Sequence, residues 1–252
     1  LTPTDRLAID ASMASAFPDT GFSTPYSGTS SLEFDYNRHV VVGNVLQYER
    51  TASWTAFAAL QLYYFPATAG VIYTNVPGSG SAFPGHEIWI DNLGKLRVRI
   101  MSNVTGGNYI GVIGTANVVD GKKHAIAYSY DGSSLAAGIK VYIDGALEAT
   151  TVEHDALSAS IVASGQSLYV GNQQQPTQNF NFTGVLSFFQ IDNVVRSQAY
   201  IQSNFTGGAI PPAVGGQTDI RFLLNEGSGG VINDTSGNSH NGTPATATMW
   251  VP

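Results

Sequence analysis

From Ser31 to Ile191 the chain runs as short apolar or alternating segments, each stopped within a few residues by Gly, Asn, Asp or Pro. That spacing leaves little room for a helical core, because a core helix needs ten or more residues with one apolar face. Ser31–Phe34, His39–Val42, Thr55–Leu62, Gly70–Tyr73, Glu87–Ile90 and Leu96–Met101 read as strands. His124–Tyr130, Lys140–Ile143, Leu168–Val170 and Val185–Ile191 continue the series. Asp91-Asn92-Leu93-Gly94, Asp131-Gly132 and Asp144-Gly145 supply turns between them. In Lys140-Val141-Tyr142-Ile143 successive side chains face opposite ways, so one face can be wet. Phe188 and Phe189 are adjacent, and on a strand they point to opposite sides, which implies cover on both. The pattern predicts an all-β jelly-roll β-sandwich of two antiparallel sheets.

The flanks read differently. Ile9, Met13, Ala16 and Phe17 fall at helix-compatible spacing and Pro18 ends any helix there, so a short helix or ordered N-terminal arm is expected over 1–29. The sandwich is expected over 30–206. Residues 207–217, with Pro211-Pro212 between glycines, read as a linker. The segment 218–252 is too short to bury a core of its own, so Asp219–Leu224 is expected to return to the sandwich as an added strand.

Charged residues make up 12% of the 252, with a net charge of −7 and no basic cluster larger than Lys122–Lys123. Such a surface offers phosphate backbones and anionic lipid little to hold, so nucleic-acid and membrane partners are not expected. Hydrophobic residues at 43% still suffice for a large core. No apolar run reaches the ~18 residues of a membrane-spanning helix, and the first residues do not read as a signal peptide. With no Cys, disulfides, thiolate chemistry and zinc ribbons are excluded. That composition is ordinary for a bacterial or phage protein.

A series of motifs carries a family resemblance. Ser31-Leu32-Glu33-Phe34-Asp35, followed by His39-Val40-Val41-Val42-Gly43-Asn44, resembles the opening "LsFDG…yVxVGN" of laminin G-like, concanavalin A-like modules. Residues 120–132, from Asp120-Gly121-Lys122-Lys123-His124 to Tyr130-Asp131-Gly132, are similar to their "DGkWHhvAvtYDG". Lys140-Val141-Tyr142-Ile143-Asp144-Gly145 resembles "lYVDG", Leu168-Tyr169-Val170-Gly171-Asn172 resembles "lyIGn", and Phe182-Thr183-Gly184 resembles the start of "FnGxIDdVrIyn". Asn225-Glu226-Gly227-Ser228-Gly229 and Asp234-Thr235-Ser236-Gly237-Asn238 resemble "FdEGSG…DtSGN", which usually opens such modules but here follows the body. Either this segment closes its own sandwich, as in a circular permutation, or it begins a second module. Phage tail and head-fibre proteins with laminin G-like domains resemble this arrangement.

The resemblance implies a concanavalin A-like sandwich and directs attention to three kinds of site. Laminarinase-type glycosidases share the fold and carry E-x-D-x-E on one strand. Glu87-Ile88-Trp89-Ile90-Asp91 is the nearest match, with Trp89 in the central place and Asp91 for the last Glu, so no catalytic residue is assigned. No nucleophile elbow, H-E-x-x-H or P-loop occurs, and His124, at the start of a strand, reads as structural.

Asp234, Ser236 and Asn238 place oxygens at every second position, as calcium loops do, and Asp35 in the turn resembling "FDG" offers another carboxylate. Ca2+ is thus the one candidate cofactor, against the alternative of an Asx-rich turn. Glycan recognition needs aromatic faces and amides. Tyr36 and loop-borne Tyr109, with Tyr26, offer the first; Asn103, Asn108, Asn172 and Gln173 offer the second.

Together these features predict a non-catalytic, lectin-like module that binds glycans or cell-surface polymers. Its expected setting is extracellular or on a virion such as a phage fibre, with homo-oligomers or other virion proteins as partners. A purely structural or decoration protein is the alternative, and a laminarinase-type hydrolase the third reading.

Overall fold

The computed structural model describes residues 31–34, 38–62, 69–77, 82–171, 182–205, 210–246 and 249–251. In chain order the strands are β1 (Ser31–Phe34), β2 (Val40–Gly43), β3 (Trp54–Leu62), β4 (Ala69–Thr74), β5 (Gly85–Asp91), β6 (Lys95–Asn103), β7 (Asn108–Asn117) and β8 (Lys123–Tyr130). Then come β9 (Ile139–Ile143), β10 (Ala146–Leu147), β11 (Thr150–Ala156), β12 (Leu168–Val170) and β13 (Gly184–Asp192). The α-helix α1 (Gln198–Phe205) precedes β14 (Thr218–Phe222), β15 (Thr243–Pro244) and β16 (Trp250–Val251).

The strands form two antiparallel sheets. The first runs β10-β9-β8-β3-β13-β1-β16, with β14 also paired to β13; the second runs β11-β7-β6-β5-β4-β12-β2-β15. The all-β sandwich expected from the pattern is the architecture observed. Strands of the last part of the chain add to both sheets: β14 pairs with β13, β15 with β2 and β16 with β1.

The inner faces meet in one core. Ala56, Ala58 and Leu60 of β3 enter it together with Ile88 and Ile90 of β5, Leu96, Val98 and Ile100 of β6, and Ile110 and Val112 of β7. Their two-residue period is that of a pleated strand. Strand β13 is covered on both sides, as the phenylalanine pair implied. Phe189 packs between the sheets against Tyr73 and Phe222. Phe188 joins Phe57, Ala59, Ala127 and Tyr142 beneath α1, whose Ile201 and Phe205 close that outer cluster. The helix was not foreseen. It also dries the outer face of β9, where Lys140 is exposed but Tyr142 is buried.

Within the core, polar atoms are carried by large rings. The Tyr73 and Tyr128 hydroxyls are hydrogen-bonded to each other, Trp54 Nε1 donates to Tyr128 Oη at 2.9 Å, and His86 Nδ1 lies 3.0 Å from Tyr73 Oη. Tyr48 stacks on Trp54 and His86 and donates to Asp219 Oδ2 at 2.5 Å. Burial holds the His86 imidazole down to about 4, so it is neutral under ordinary conditions.

His124 is structural in a specific sense. Its Nδ1 lies 2.9 Å from Asp144 Oδ2 and its Nε2 3.0 Å from Asp120 Oδ1. Burial opposes the imidazolium, but hydrogen bonds and charge from the two carboxylates outweigh it and raise the pKa. A raised folded pKa means stability that is complete below the unfolded value and is lost as pH climbs through the folded one. His124→Ala is therefore expected to cost roughly 1 kcal/mol more at pH 5 than at pH 8, read from urea midpoints. Equal losses at the two values would remove the imidazolium from the account.

Candidate functional site

Because β5 sends Ile88 and Ile90 inward, Glu87, Trp89 and Asp91 face out from the second sheet. On β6, Arg99 stands opposite Glu87 and Arg97 opposite Trp89. The residue beside Arg99 on β7 is Gly111. A Cβ there would lie 2.7 Å from Glu153 Oε2, so the missing side chain lets Glu153, at the bulge of β11, reach across β7. Its carboxylate accepts from Arg99 Nε at 2.8 Å, Arg99 Nη2 at 2.5 Å and Arg97 Nη1 at 3.1 Å. Arg97 Nε donates to Asp91 Oδ2 at 2.9 Å. The outcome is a row of alternating charge, Asp91–Arg97–Glu153–Arg99–Glu87, drawn from β5, β6 and β11 and crossing β7.

The ends of that row differ. Burial, partly offset by the Arg99 charge and a 3.3 Å hydrogen bond from Thr74 Oγ1, holds the Glu87 carboxyl up to about 7. At Glu153 burial is overcome by hydrogen bonds and charge from Arg99 and Arg97, which hold it below the usual carboxylate range. Arg99 also lies over the rings of Trp89 and Tyr109, 4.7 and 5.5 Å from their centres. His154 stacks on Tyr109 at 4.2 Å and donates from Nε2 to Gly107 O at 2.8 Å. Trp89 packs on Val71 and is only 8% exposed. The rings thus hold a cation and a histidine in place, and the groups left to meet a ligand are guanidinium, carboxyl and amide. The Arg97 and Arg99 side chains remain 26% and 25% exposed.

Two glycines on β7 test this geometry. A Cβ on Gly114 would meet nothing closer than 3.5 Å, so Gly114→Ala is expected to be neutral or to stabilise by about 0.5 kcal/mol. Gly111→Ala must displace Glu153 and is expected to cost about 1 kcal/mol. Chemical denaturation of both variants checks the contrast; equal behaviour would mean that Glu153 does not depend on that gap.

Asn103, Asn108 and Tyr109 come together at the β6–β7 hairpin, beside the end of this face. Asn103 Oδ1 accepts from Gly106 N at 2.7 Å, and Asn108 exchanges two 3.0 Å hydrogen bonds with Ser158. Tyr109 is not on a loop as expected; it is the second residue of β7. Tyr26, Tyr36, Asn172 and Gln173 lie outside the described residues, as do Asp35 and the 1–29 arm. Arg97, Arg99, Glu153 and His154 were missed.

On β5, Asp91 is tied into its own turn. Asp91 Oδ1 accepts from Leu93 N and Lys95 N at 2.9 and 3.0 Å, closing the hairpin. Against burial, these bonds and Arg97 hold Asp91 below its ordinary range, the reverse of what a general acid requires.

The C-terminal turn is equally committed. Asp234 Oδ1 accepts from Arg221 N and Ser236 N, and Oδ2 from Ser236 Oγ and His240 N, all at 2.7–3.0 Å. Asn238 Nδ2 donates to Thr218 O and Asp219 O at 3.0 Å each. Four donors use the lone pairs of one carboxylate, so Asp234, Ser236 and Asn238 do not fit calcium and instead lock an Asx-type turn. Among the described residues no three His, Asp or Glu side chains gather as a metal set, and no helix is long and apolar enough to cross a membrane.

Solved structures share this fold. A Bacteroides ovatus protein named for an inferred carbohydrate-binding role superposes with a TM-score of 0.63 at 20% identity, over 88% of this chain and 59% of its own. This chain therefore spans about three fifths of that protein. The CBM40 of the Ruminococcus gnavus IT-sialidase, solved with α2,3-sialyllactose, gives 0.50 at 15% identity, over 62% of this chain and 83% of its own. A heptameric SAP-like pentraxin from Limulus polyphemus gives 0.51 at 13% identity, over 87% and 96%. No curated protein sequence matches. Residues 34–202 match the family described as the concanavalin A-like lectin/glucanases superfamily, and with most of the sandwich inside that match the chain belongs to this superfamily.

Proposed function

We propose that the protein is a non-catalytic, lectin-like module that binds glycans or cell-surface polymers through the outer face of its second sheet. The observation that carries the reading is the charge row Asp91–Arg97–Glu153–Arg99–Glu87. Its guanidiniums are held rigid by their carboxylates and stay a quarter exposed, and preorganised planar donors of this kind suit sugar hydroxyls. Asn103 and Asn108 border the same face. The superfamily and its carbohydrate-binding neighbours accord with the reading. Residues 30–206 and 218–252 act here as one module joined by 207–217. The extracellular or virion setting rests on a cysteine-free, weakly charged composition and on the resemblance to fibre proteins.

A glycan array, run with and without chelator, tests this. Binding is expected to survive chelation, because the Asp234 turn does not fit calcium, and to weaken at least about tenfold in Arg99→Met. Unchanged binding in Arg99→Met moves the site elsewhere, and a blank array with the wild type removes the lectin reading. A second reading, a structural or decoration module packed against copies of itself or other virion proteins, is favoured by one observation. No aromatic ring among the described residues is fully exposed for sugar stacking. A blank array together with a solution mass above that of the monomer supports it.

A further inference from the structure

The outer face of the first sheet, on the far side of the sandwich, holds an imbalance of charge. Gln190 and Asp192 stand there on β13, Arg221 lies opposite Gln190 on β14, and Arg196 leads into α1. Two guanidiniums meet a single carboxylate, and that carboxylate is spent. Asp192 Oδ1 accepts from Gln190 Nε2 at 2.9 Å and Thr218 Oγ1 at 2.8 Å, and Oδ2 accepts from Arg196 Nε at 2.6 Å. Arg221 finds only neutral oxygens: Gln190 Oε1 and Pro211 O at 3.1 Å and Thr235 Oγ1 at 3.2 Å. Tyr200 Oη and Arg196 Nη2 are buried without any hydrogen-bond partner, and the Arg196 guanidinium lies 4.7 Å over the Tyr200 ring. Burial, with the Asp192 charge, raises the pKa of the Tyr200 hydroxyl against the two arginine charges that act on it. Buried donors are rarely left unused, and each such case asks for an acceptor.

We infer that Arg196, Tyr200 and Arg221 form a second binding site, one for a small carboxylate. One ligand oxygen accepts from Tyr200 Oη and Arg196 Nη2, and the other faces Arg221, whose partial exposure marks the side of entry. Charge-assisted bonds of this type strongly favour a planar oxyanion. The carboxylate can be free or carried by an acidic sugar. This site shares no residue with the charge row of the second sheet, so it stands or falls apart from the glycan reading.

Thermal melts with sodium acetate and sodium glucuronate, against sodium chloride at equal ionic strength, test it. The wild type is expected to show a saturable rise in Tm above the chloride baseline. The apparent affinity should fall at least about tenfold in Tyr200→Phe and in Arg221→Gln and persist in Arg99→Met. Without carboxylate, Tyr200→Phe should melt no lower than the wild type, since its hydroxyl has no partner to lose. Tighter glucuronate binding assigns the site to acidic sugars, and equal binding to simple carboxylates. A rise no larger than with chloride, or one that is the same in both variants, overturns the inference.

Discussion

Asp192→Ala is expected to lower the unfolding free energy by about 3–5 kcal/mol, read as a lower urea midpoint at unchanged slope. Asp192 has no solvent exposure, and its partner Arg196 keeps only 11%. Removing the carboxylate leaves a guanidinium beside a tyrosine ring with nothing to neutralise it, and strips Thr218 Oγ1 and Gln190 Nε2 of their shared acceptor. That bond set ties β13 to β14 and to the approach to α1, so the loss falls on the junction that seats the helix. Asp192→Asn, which keeps the shape and one acceptor, should lose less. Replacing both partners, as Asp192→Leu with Arg196→Met, should recover part of the deficit, because an apolar pair carries no unpaired charge. A loss below about 1 kcal/mol for Asp192→Ala would mean that the pair behaves like an exposed ion pair.

What could be read from the sequence follows from how each element is buried. β3, β5, β6 and β8 carry inward apolar residues at a period of two, as in Trp54, Ala56, Ala58, Leu60 and Leu62 or Ile126, Tyr128 and Tyr130, and β13 does so apart from its bulge, so the pattern exposes them. β7 did not show, because Gly111 and Gly114 break its alternation and Gly106-Gly107 reads as turn. Gly111 is there for its neighbour Glu153. β11, Thr-Thr-Val-Glu-His-Asp-Ala, is an edge strand with an exposed face and no apolar stripe, which leaves no hydrophobic signal to detect. α1 buries only Ile201 and Phe205, too little periodicity to separate from a loop.

The candidate face was hidden for the same reason. Its residues sit on two legible strands, β5 and β6, where Arg97-Val98-Arg99 between apolar residues signals two outward cations, and on the illegible β11. A contact such as Arg99 with Glu153 depends on strand register, which no local pattern states. At the C-terminal turn, the oxygen spacing of Asp234, Ser236 and Asn238 was visible, but spacing does not say whether oxygens face a cation or backbone N–H groups.

The pH dependence of stability is expected to turn on two neighbours of β5 that face opposite sides, His86 into the core and Glu87 outward. His86 titrates near 6.5 unfolded and about 4 when buried. Its contribution is complete above 6.5 and is lost as pH falls towards 4, by about 3 kcal/mol in all. Glu87 runs the other way, from 4.5 unfolded to about 7 folded. Its contribution is complete below 4.5 and is lost as pH rises through 7, again by about 3 kcal/mol. Between 4.5 and 6.5 the two slopes oppose, so the wild type should show a broad maximum there and decline on either side. His124 adds to the alkaline decline, which is why the variant, and not the wild type alone, decides the matter. Glu87→Gln keeps a partner for Thr74 and cannot ionise. It should gain up to about 3 kcal/mol over the wild type at pH 8, match it near pH 4.5, and lay bare the acid limb due to His86. Urea midpoints from pH 4 to 8 measure all of this. If Glu87→Gln were no more stable than the wild type at pH 8, the carboxyl would have to be solvated and ionised in the folded protein. The row that ends on it would then be open to water at that end.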